Sequence, residues 1–210
     1  MGSLYRVGRA PDPLAWPPAS TSGRYNDPQG RFRVLYAASE RQAAFMETLA
    51  AFRPALRDLA LVESLLSSGE LDLPHPIGHV PAAYFAKRIA AFRLDHTQRW
   101  LDLRSPQTHA ILRIELAAEL LSAGYSGAFN FGEIIGSDYK LTGLVSRWSY
   151  DSGYSGIAYP RTHDASLTCW AIFDRTSVTL VGTVEPIRHD DPDLLAAIDL
   201  FGLMLPVPRT

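Results

Sequence analysis

The pattern of apolar and polar positions predicts short β-strands near both ends of the chain. Residues 4–8 (LYRVG) and 32–38 (FRVLYAA) alternate in polarity and are rich in β-forming side chains. Further runs of the same kind occur in the middle and in the last third of the sequence. They cover residues 87–95, 99–103, 155–160, 167–174 and 178–187.

Helical periodicity is clearest in the segments between these strands. Residues 40–52 repeat apolar side chains at helical spacing, and Ser39 precedes them as the predicted N-cap. Residues 105–124 begin with Ser105 as the predicted cap, continue with a proline at the first helical position and end at a glycine. The other predicted helices cover residues 55–69, 137–150 and 192–203.

Strand groups at both ends with helices between them predict an α+β protein. A length of 210 residues is typical of one domain, and no internal repeat divides the chain. Residues 10–23 are rich in proline and serine and are predicted to form an irregular loop. We therefore expect one compact domain over residues 1–210, in which the two strand groups share a core.

Composition narrows the class of protein further. At 47% hydrophobic and 20% charged residues, the chain can bury a sizeable core without disulfides. The formal net charge of −2 gives no basic surplus for a broad nucleic-acid surface. The single cysteine, Cys169, excludes an intrachain disulfide and a cysteine-based zinc cluster, and no metal is expected. With neither a secretory signal nor an apolar run of membrane-spanning length, the sequence favours a cytoplasmic protein.

Three arginines, Arg24, Arg31 and Arg33, lie within ten residues of one another on this near-neutral chain. A guanidinium group is a rigid fork of donors that matches phosphate oxygens, so an anion site is one interpretation. The other is a solvated loop with surface salt bridges, which is the commoner fate of loop charges. Glu47, on the helix that follows, is likewise either a carboxylate facing a cleft or a surface glutamate.

Several short motifs, in this order along the chain, resemble the RES-domain family. They are LYRVG, GRYNDPQG, VLYAA, AAFMETL and, far downstream, GIAYPRTHDASLTCWAIFD. The resemblance runs from about residue 4 to about residue 175, and the eleven-residue step from Tyr36 to Glu47 carries much of its weight. It implies a fold similar to that of ADP-ribosyltransferase toxins, with a compact core of short strands, flanking helices and a cleft for a nicotinamide dinucleotide. Known members are mostly bacterial toxins that consume NAD, and their usual partner is an Xre-type antitoxin.

The resemblance also implies roles for individual residues. Arg6 and Arg24 would hold the phosphates or ribose of the dinucleotide, and Tyr25 would join Arg24 in binding it. Tyr36 would pack on the nicotinamide part. Glu47 would be the family's glutamate, which binds the ribose near the scissile bond.

The family's serine is the place where this chain departs from the pattern. After GIAYP the family continues with serine and then arginine, whereas this chain has Arg161 and Thr162. Thr162 would supply a hydroxyl one residue late. Arg161 would bind a phosphate.

Three functional hypotheses remain open at this point. The first is an enzyme that cleaves the nicotinamide–ribose bond of NAD and acts as the toxin of a toxin–antitoxin pair. NAD is then the substrate, and inorganic phosphate is a candidate co-substrate that Arg31, Arg33 or Arg161 could bind. The second is an inactive RES-like module that binds a nucleotide or a partner, and the third is a protein ADP-ribosyltransferase. Contact with nucleic acid is expected only through an antitoxin, and contact with a membrane is not expected.

Overall fold

The fold is built on a seven-stranded sheet in which both predicted strand groups take part. The computed structural model describes residues 2–54, 60, 64, 67, 78–95, 97–125, 139–161 and 164–206. The strands are β1 (Leu4–Gly8), β2 (Val34–Ala38), β3 (Gly78–His79), β4 (Arg88–Leu94), β5 (Trp100–Asp102), β6 (Gly156–Arg161), β7 (Asp164–Phe173), β8 (Val178–Pro186) and β9 (Leu203–Met204). The order in the main sheet is β5-β6-β7-β2-β1-β4-β8, and β3 pairs with β9 in a separate two-stranded sheet.

Strand pairing confirms that the two strand groups share one core. β2, from the first group, pairs antiparallel with β7, from the last, with Val34 opposite Phe173 and Ala38 opposite Cys169. Among the described strands of the main sheet, only β5 and β6 run parallel. The α+β prediction is therefore confirmed.

The described helices flank this sheet. They are α1 (Arg41–Leu49), α2 (Pro106–Glu115), α3 (Ala117–Ser122), α4 (Tyr139–Asp151) and α5 (Pro192–Phe201). The single helix predicted over 105–124 is in fact two helices, because Leu116 leaves helical geometry with φ −105° and ψ 10°. The helix predicted over 55–69 falls almost entirely outside the described residues.

One predicted helix cap is wrong, and the other is right in position only. Glu40, not Ser39, holds the N-cap position of α1, with extended backbone at φ −114° and ψ 144°. The Ser39 hydroxyl instead accepts a hydrogen bond from Trp170 Nε1 on β7, at 3.0 Å. Ser105 does occupy the N-cap position of α2, but its hydroxyl bonds to the Gln107 side chain rather than to the backbone.

Apolar side chains fill both faces of the sheet. On one face α1 packs against β1, β2 and α5, and buries Phe45, Met46 and Leu49. On the other face Leu14 and Trp16, from the proline-rich loop before β2, pack against a second buried cluster that includes Leu35 and Phe92. No helix in the described part of the chain combines the length and apolar character needed to cross a membrane.

Candidate active site

Two adjacent cavities open beside α1 and β2, the first towards β6 and the second towards β1. The first has a volume of about 370 Å³, and the second has a volume of about 200 Å³. Tyr36 and Glu47 line both, so these two side chains form a shared wall. The first cavity is also lined by Arg24, Tyr139, Tyr159 and Arg161, and the second by Tyr5, Arg6, Val7, Ala37, Ala44 and Thr48.

Glu47 reaches the cavities because α1 buries its other side. The buried residues of the helix include Phe45, Met46 and Leu49, whereas the Glu47 side chain remains 37% exposed. Its Oε1 atom lies 3.2 Å from Nε of Arg161 and accepts a hydrogen bond from the Cys169 thiol at 3.4 Å. The carboxylate is thus held through one oxygen by groups from β6 and β7.

Arg161 is a buried cation at the end of β6. Only 2% of its side chain is exposed, and its guanidinium lies 5.5 Å from the centre of the Phe201 ring. The contact of Nε with Glu47 has the distance of an ion pair, but the N–H is not aligned for a hydrogen bond. Nε is therefore buried without a hydrogen-bond partner in the described part of the protein, and so is Nη1.

Tyr159 and Cys169 are paired across β6 and β7, where Tyr159 lines the first cavity and Cys169 contacts Glu47. Burial raises the pKa of the Cys169 thiol, and the nearby Glu47 carboxylate raises it further. Burial also raises the pKa of Tyr159 well above its ordinary value. Both groups therefore keep their protons at neutral pH, and the thiol acts as a hydrogen-bond donor.

The loop that carries Arg24 is attached to β2 by the hydroxyl of Tyr36. This hydroxyl accepts a hydrogen bond from the Tyr25 N–H and donates one to Asn26 Oδ1, both at 2.9 Å. Burial raises the pKa of Tyr36, so the hydroxyl keeps the proton that it donates. Nε of Arg24 is buried without a hydrogen-bond partner among the described residues, and the side chain lines the first cavity.

Helix α4 fixes the same loop from the other side. Ser146 donates a hydrogen bond to the Tyr25 carbonyl, and Arg147 donates two to Asp27 Oδ1, at 2.8 and 3.1 Å. Gly143 allows the loop to come close, because a Cβ atom there would lie 2.8 Å from Cγ of Pro28. The position of Arg24 therefore depends on a helix more than 100 residues further along the chain.

Asp27 is the buried charge at the centre of this attachment, with 0% of its side chain exposed. Burial alone would raise the pKa of this carboxyl. Hydrogen bonds from the Arg31 backbone and the Arg147 guanidinium outweigh that effect and hold the pKa below its ordinary value. Asp27 is therefore ionised in the folded protein at neutral pH.

Arg6 lies in the wall of the second cavity, on β1. It donates hydrogen bonds to the carbonyls of Pro13, at 2.8 Å, and Tyr36, at 2.6 Å. Gly8 permits this arrangement, since a Cβ atom there would lie 2.6 Å from the Pro13 carbonyl oxygen. Burial lowers the pKa of Arg6 to about 10, which leaves the guanidinium charged at neutral pH.

Most of the residues singled out in the sequence lie in the walls of the two cavities. Arg6, Arg24, Tyr36, Glu47 and Arg161 line one or both. The structure thus brings together residues from β1, β2, α1, β6 and the loop before β2.

Other candidates lie elsewhere. Arg31 and Arg33 form ion pairs with Asp151 at 3.1 Å and Asp174 at 3.0 Å, as the surface interpretation predicted for loop charges. Tyr25 is fully buried and packs on the ring of Tyr159 at 4.6 Å, which places it behind the cavity wall. Thr162 lies outside the described residues.

Among the residues of the site that the sequence analysis did not identify are Tyr139, Tyr159 and Cys169. Tyr159 could have been found from its position two residues before Arg161, because side chains at that spacing in a strand share a face. Tyr139 at the start of α4 and Cys169 on β7 carry no local signal. Among the described residues, no group of three or more His, Cys, Asp or Glu side chains could hold a metal ion.

The fold and the cavities define an α+β protein with a polar site. Arginines outnumber carboxylates in this site, so it suits a small anionic ligand. A model of the RES domain matches residues 3–194, so the chain belongs to the RES-domain family. The resemblance seen in the short motifs is thereby confirmed.

One similar solved structure is a chain of the M. tuberculosis MbcT–MbcA toxin–antitoxin complex. The TM-score is 0.55 at 15% sequence identity, and the match covers 95% of this chain and 88% of that chain. At this level of identity the likeness shows a shared fold. No curated protein matches the chain significantly.

Proposed function

We propose that this protein is the toxin of a toxin–antitoxin pair and that it cleaves NAD between nicotinamide and ribose. Membership of the RES-domain family supports this class of function, because known members are mostly toxins that consume NAD. A chain of the MbcT–MbcA toxin–antitoxin complex has a similar fold. The observation that carries the proposal is the position of Glu47, whose carboxylate lies between two cavities that each have arginine in their walls.

The reaction requires charge and position more than proton transfer. When the bond between ribose C1′ and the nicotinamide nitrogen breaks, the electron pair leaves with nicotinamide, which departs as a neutral base. Positive charge develops on the ribose ring, and a carboxylate next to the ring stabilises it. Water or phosphate then forms the new bond to C1′, and water loses its proton to solvent. Glu47 is the carboxylate that we assign to this task.

The remaining residues position the dinucleotide. Arg6 and Arg24 bind its diphosphate or ribose groups, which guanidinium donors match in geometry. Tyr36 packs on the nicotinamide part, since its side chain is part of the wall that both cavities share. Tyr25 acts from behind this wall, because its ring is buried and its backbone N–H binds the Tyr36 hydroxyl.

We also propose an antitoxin of the Xre type as the partner that blocks the site. Tyr139, which is 51% exposed, marks the rim of the first cavity. A protein that covered this rim would close the cavity to NAD. Nucleic acid would then be contacted through the antitoxin.

An assay of nicotinamide release tests the proposed activity. Purified protein is incubated with NAD alone, with NAD and phosphate, and with NAD and a protein acceptor. We expect nicotinamide to be released without a protein acceptor. If phosphate is the nucleophile, the rate of release should increase with the phosphate concentration. Release that requires the protein acceptor would indicate ADP-ribosyl transfer. The absence of release in all three reactions would contradict the proposal.

A second candidate function, an inactive binding module, is favoured by the contact between Arg161 and Glu47. A guanidinium 3.2 Å from the carboxylate offsets part of the negative charge that the ribose cation needs. Such a module would bind NAD or ADP-ribose without releasing nicotinamide. Calorimetric binding together with a negative release assay would therefore favour this candidate over the enzyme.

Cys169 provides a test of how Glu47 is positioned. Its thiol donates to Oε1 and so leaves Oε2 free for the substrate. We expect Cys169→Ala to lower kcat for nicotinamide release about 3–10-fold with little change in KM, since one net hydrogen bond is worth roughly 1 kcal/mol. Cys169→Ser keeps a donor and should retain most of the activity. Equal kcat values in the wild type and both variants would show that the thiol does not position Glu47.

A further inference from the structure

The ring of Phe201, the last residue of α5, lies beside the buried guanidinium of Arg161. The distance from Cζ of Arg161 to the ring centre is 5.5 Å. Arg53 lies over the same ring at 4.9 Å, so two cations contact one aromatic side chain. Phe201 is 8% exposed and Arg161 is 2% exposed. An aromatic ring attracts a cation through its quadrupole, and the attraction is stronger where water is excluded.

Arg161 depends on this ring because it has few other partners. In the part of the chain that the structure describes, its ion pair is with Glu47, whose side chain is itself 37% exposed. Nε and Nη1 have no hydrogen-bond partner among the described residues and almost no accessible surface. These two atoms therefore act on the site through Glu47 rather than by touching a ligand. A buried charge needs compensation, and the carboxylate and the ring of Phe201 provide it.

Helix α5 is fixed against α1, the helix that carries Glu47. Arg41, the first residue of α1, pairs with Asp191 at 2.6 Å, and Asp191 is the N-cap of α5. At the other end of α5, Gly202 has a left-handed backbone with φ 59°, which allows the helix to stop directly after Phe201. The two helices also pack on each other along their length. The ring therefore has a defined position relative to the carboxylate.

We propose that Phe201 is a positioning residue that holds Arg161 against Glu47 and thereby fixes the carboxylate. The role of Glu47 in catalysis rests on the proposed function, whereas the contact does not. The model of the RES domain matches residues 3–194, so Phe201 lies beyond the part of the chain that this comparison covers. With the ring in place, Arg161 and the Cys169 thiol both contact Oε1 of Glu47. Without the ring, water reaches the guanidinium and weakens the ion pair.

Loss of the ring should lower the rate of nicotinamide release. Arg161 fixes Glu47 and also offsets part of its charge, but solvent already screens the second effect at a half-exposed carboxylate. A carboxylate that rotates loses its alignment with the ribose. We expect Phe201→Leu to lower kcat about 3–10-fold and to change KM less than about 2-fold. Phe201→Tyr keeps the ring and should retain most of the activity.

A double-mutant cycle tests the contact without any turnover. Urea unfolding of the wild type, Glu47→Gln, Arg161→Met and the double variant gives the coupling between the two charged side chains. The cycle is repeated in a Phe201→Leu background and in a Phe92→Leu background. Phe92 is the matched control, because it is buried on the other face of the sheet and no arginine lies over its ring among the described residues.

We expect the coupling to fall by about half or more in the Phe201→Leu background, since the ring confines the guanidinium next to the carboxylate. The coupling should not change in the Phe92→Leu background. A substitution that only loosened the core would lower the stability of all four proteins of a cycle and leave their coupling unchanged. Phe201→Met and Arg161→Gln replace any variant that does not fold.

Three outcomes would overturn the proposal. The first is a wild type without coupling between Arg161 and Glu47, and the second is an equal coupling with and without the ring of Phe201. The third is a Phe201→Leu enzyme whose kcat equals or exceeds that of the wild type. If the wild type releases no nicotinamide, the proposed enzyme is refuted, and the unfolding cycle alone decides whether Phe201 holds Arg161 against Glu47.

Discussion

Glu47→Gln is expected to reduce the rate of nicotinamide release at least ~100-fold, the size of effect seen when one preorganised electrostatic group is removed from an active site. Glutamine has nearly the same shape as glutamate and can still accept a hydrogen bond from the Cys169 thiol. What it lacks is the negative charge that stabilises the ribose cation. The loss should therefore fall mainly on kcat, with a smaller effect on KM.

The same substitution should also cost some stability, because Glu47 is the carboxylate nearest to a buried cation. Removing one partner of a fully buried ion pair costs about 3–5 kcal/mol. The Glu47 side chain is 37% exposed, so solvent already screens this pair, and we expect a loss of only about 1 kcal/mol. Urea unfolding of the variant measures this loss.

Glu115→Gln makes the same change of charge on an exposed position of α2 and is the matched control. It should leave both kcat and the free energy of unfolding unchanged. Full activity of Glu47→Gln would show that the carboxylate does not act on the ribose. That result would remove the assigned mechanism even if the protein does cleave NAD.

Asp27→Asn is expected to destabilise the fold by about 2–3 kcal/mol, the largest stability effect that we predict for a single side chain of the site. Asp27 is fully buried and receives hydrogen bonds from the backbone of Arg31 and the side chain of Arg147. The amide removes the charge that these groups surround. Because the Arg31 and Arg147 side chains are 44% and 26% exposed, part of the loss is offset by solvation of the two cations.

The pH dependence of stability follows from the lowered pKa of Asp27. A carboxyl whose pKa is lower in the folded state stabilises the protein fully above its unfolded pKa of about 4. This contribution is lost as the pH falls through the folded value. The difference in unfolding free energy between the wild type and Asp27→Asn should thus be constant from about pH 7 to 5 and become smaller below about pH 4.

Asp151→Asn is the control for this prediction, since Asp151 pairs with the same Arg31 but is 54% exposed. Exposed pairs contribute about 0–1 kcal/mol, so this variant should unfold almost like the wild type. The free energies of unfolding of both variants are measured with urea at pH 7. Equal losses would show that the burial of Asp27 does not increase its contribution to stability.

Local sequence patterns determined most of the secondary structure. The spacing of apolar side chains predicted the described parts of the strands. The same spacing, with proline and glycine at the helix ends, predicted the helices before Pro54 and after Asp191. Such patterns work because they act between residues a few positions apart. The cap predicted at Ser39 failed because its hydroxyl binds Trp170, which lies 131 residues away.

The choice among the arginines was made by the tertiary structure. Nothing in the sequence distinguishes the side chains of Arg24, Arg31 and Arg33. In the structure Arg24 lines the first cavity, whereas Arg31 and Arg33 form ion pairs with aspartates. Attachment of the loop to Tyr36 and α4 decides this outcome.

Motif order and spacing are properties of the chain, and they were sufficient to identify the family, the α+β class and a short list of candidates that contains Arg6, Tyr36 and Glu47. The surroundings of Glu47 could be read only from the folded structure. Cys169 lies 122 residues from it along the chain and donates to its carboxylate. Strand register and helix packing produce such contacts, and they depend on the whole core rather than on neighbouring residues.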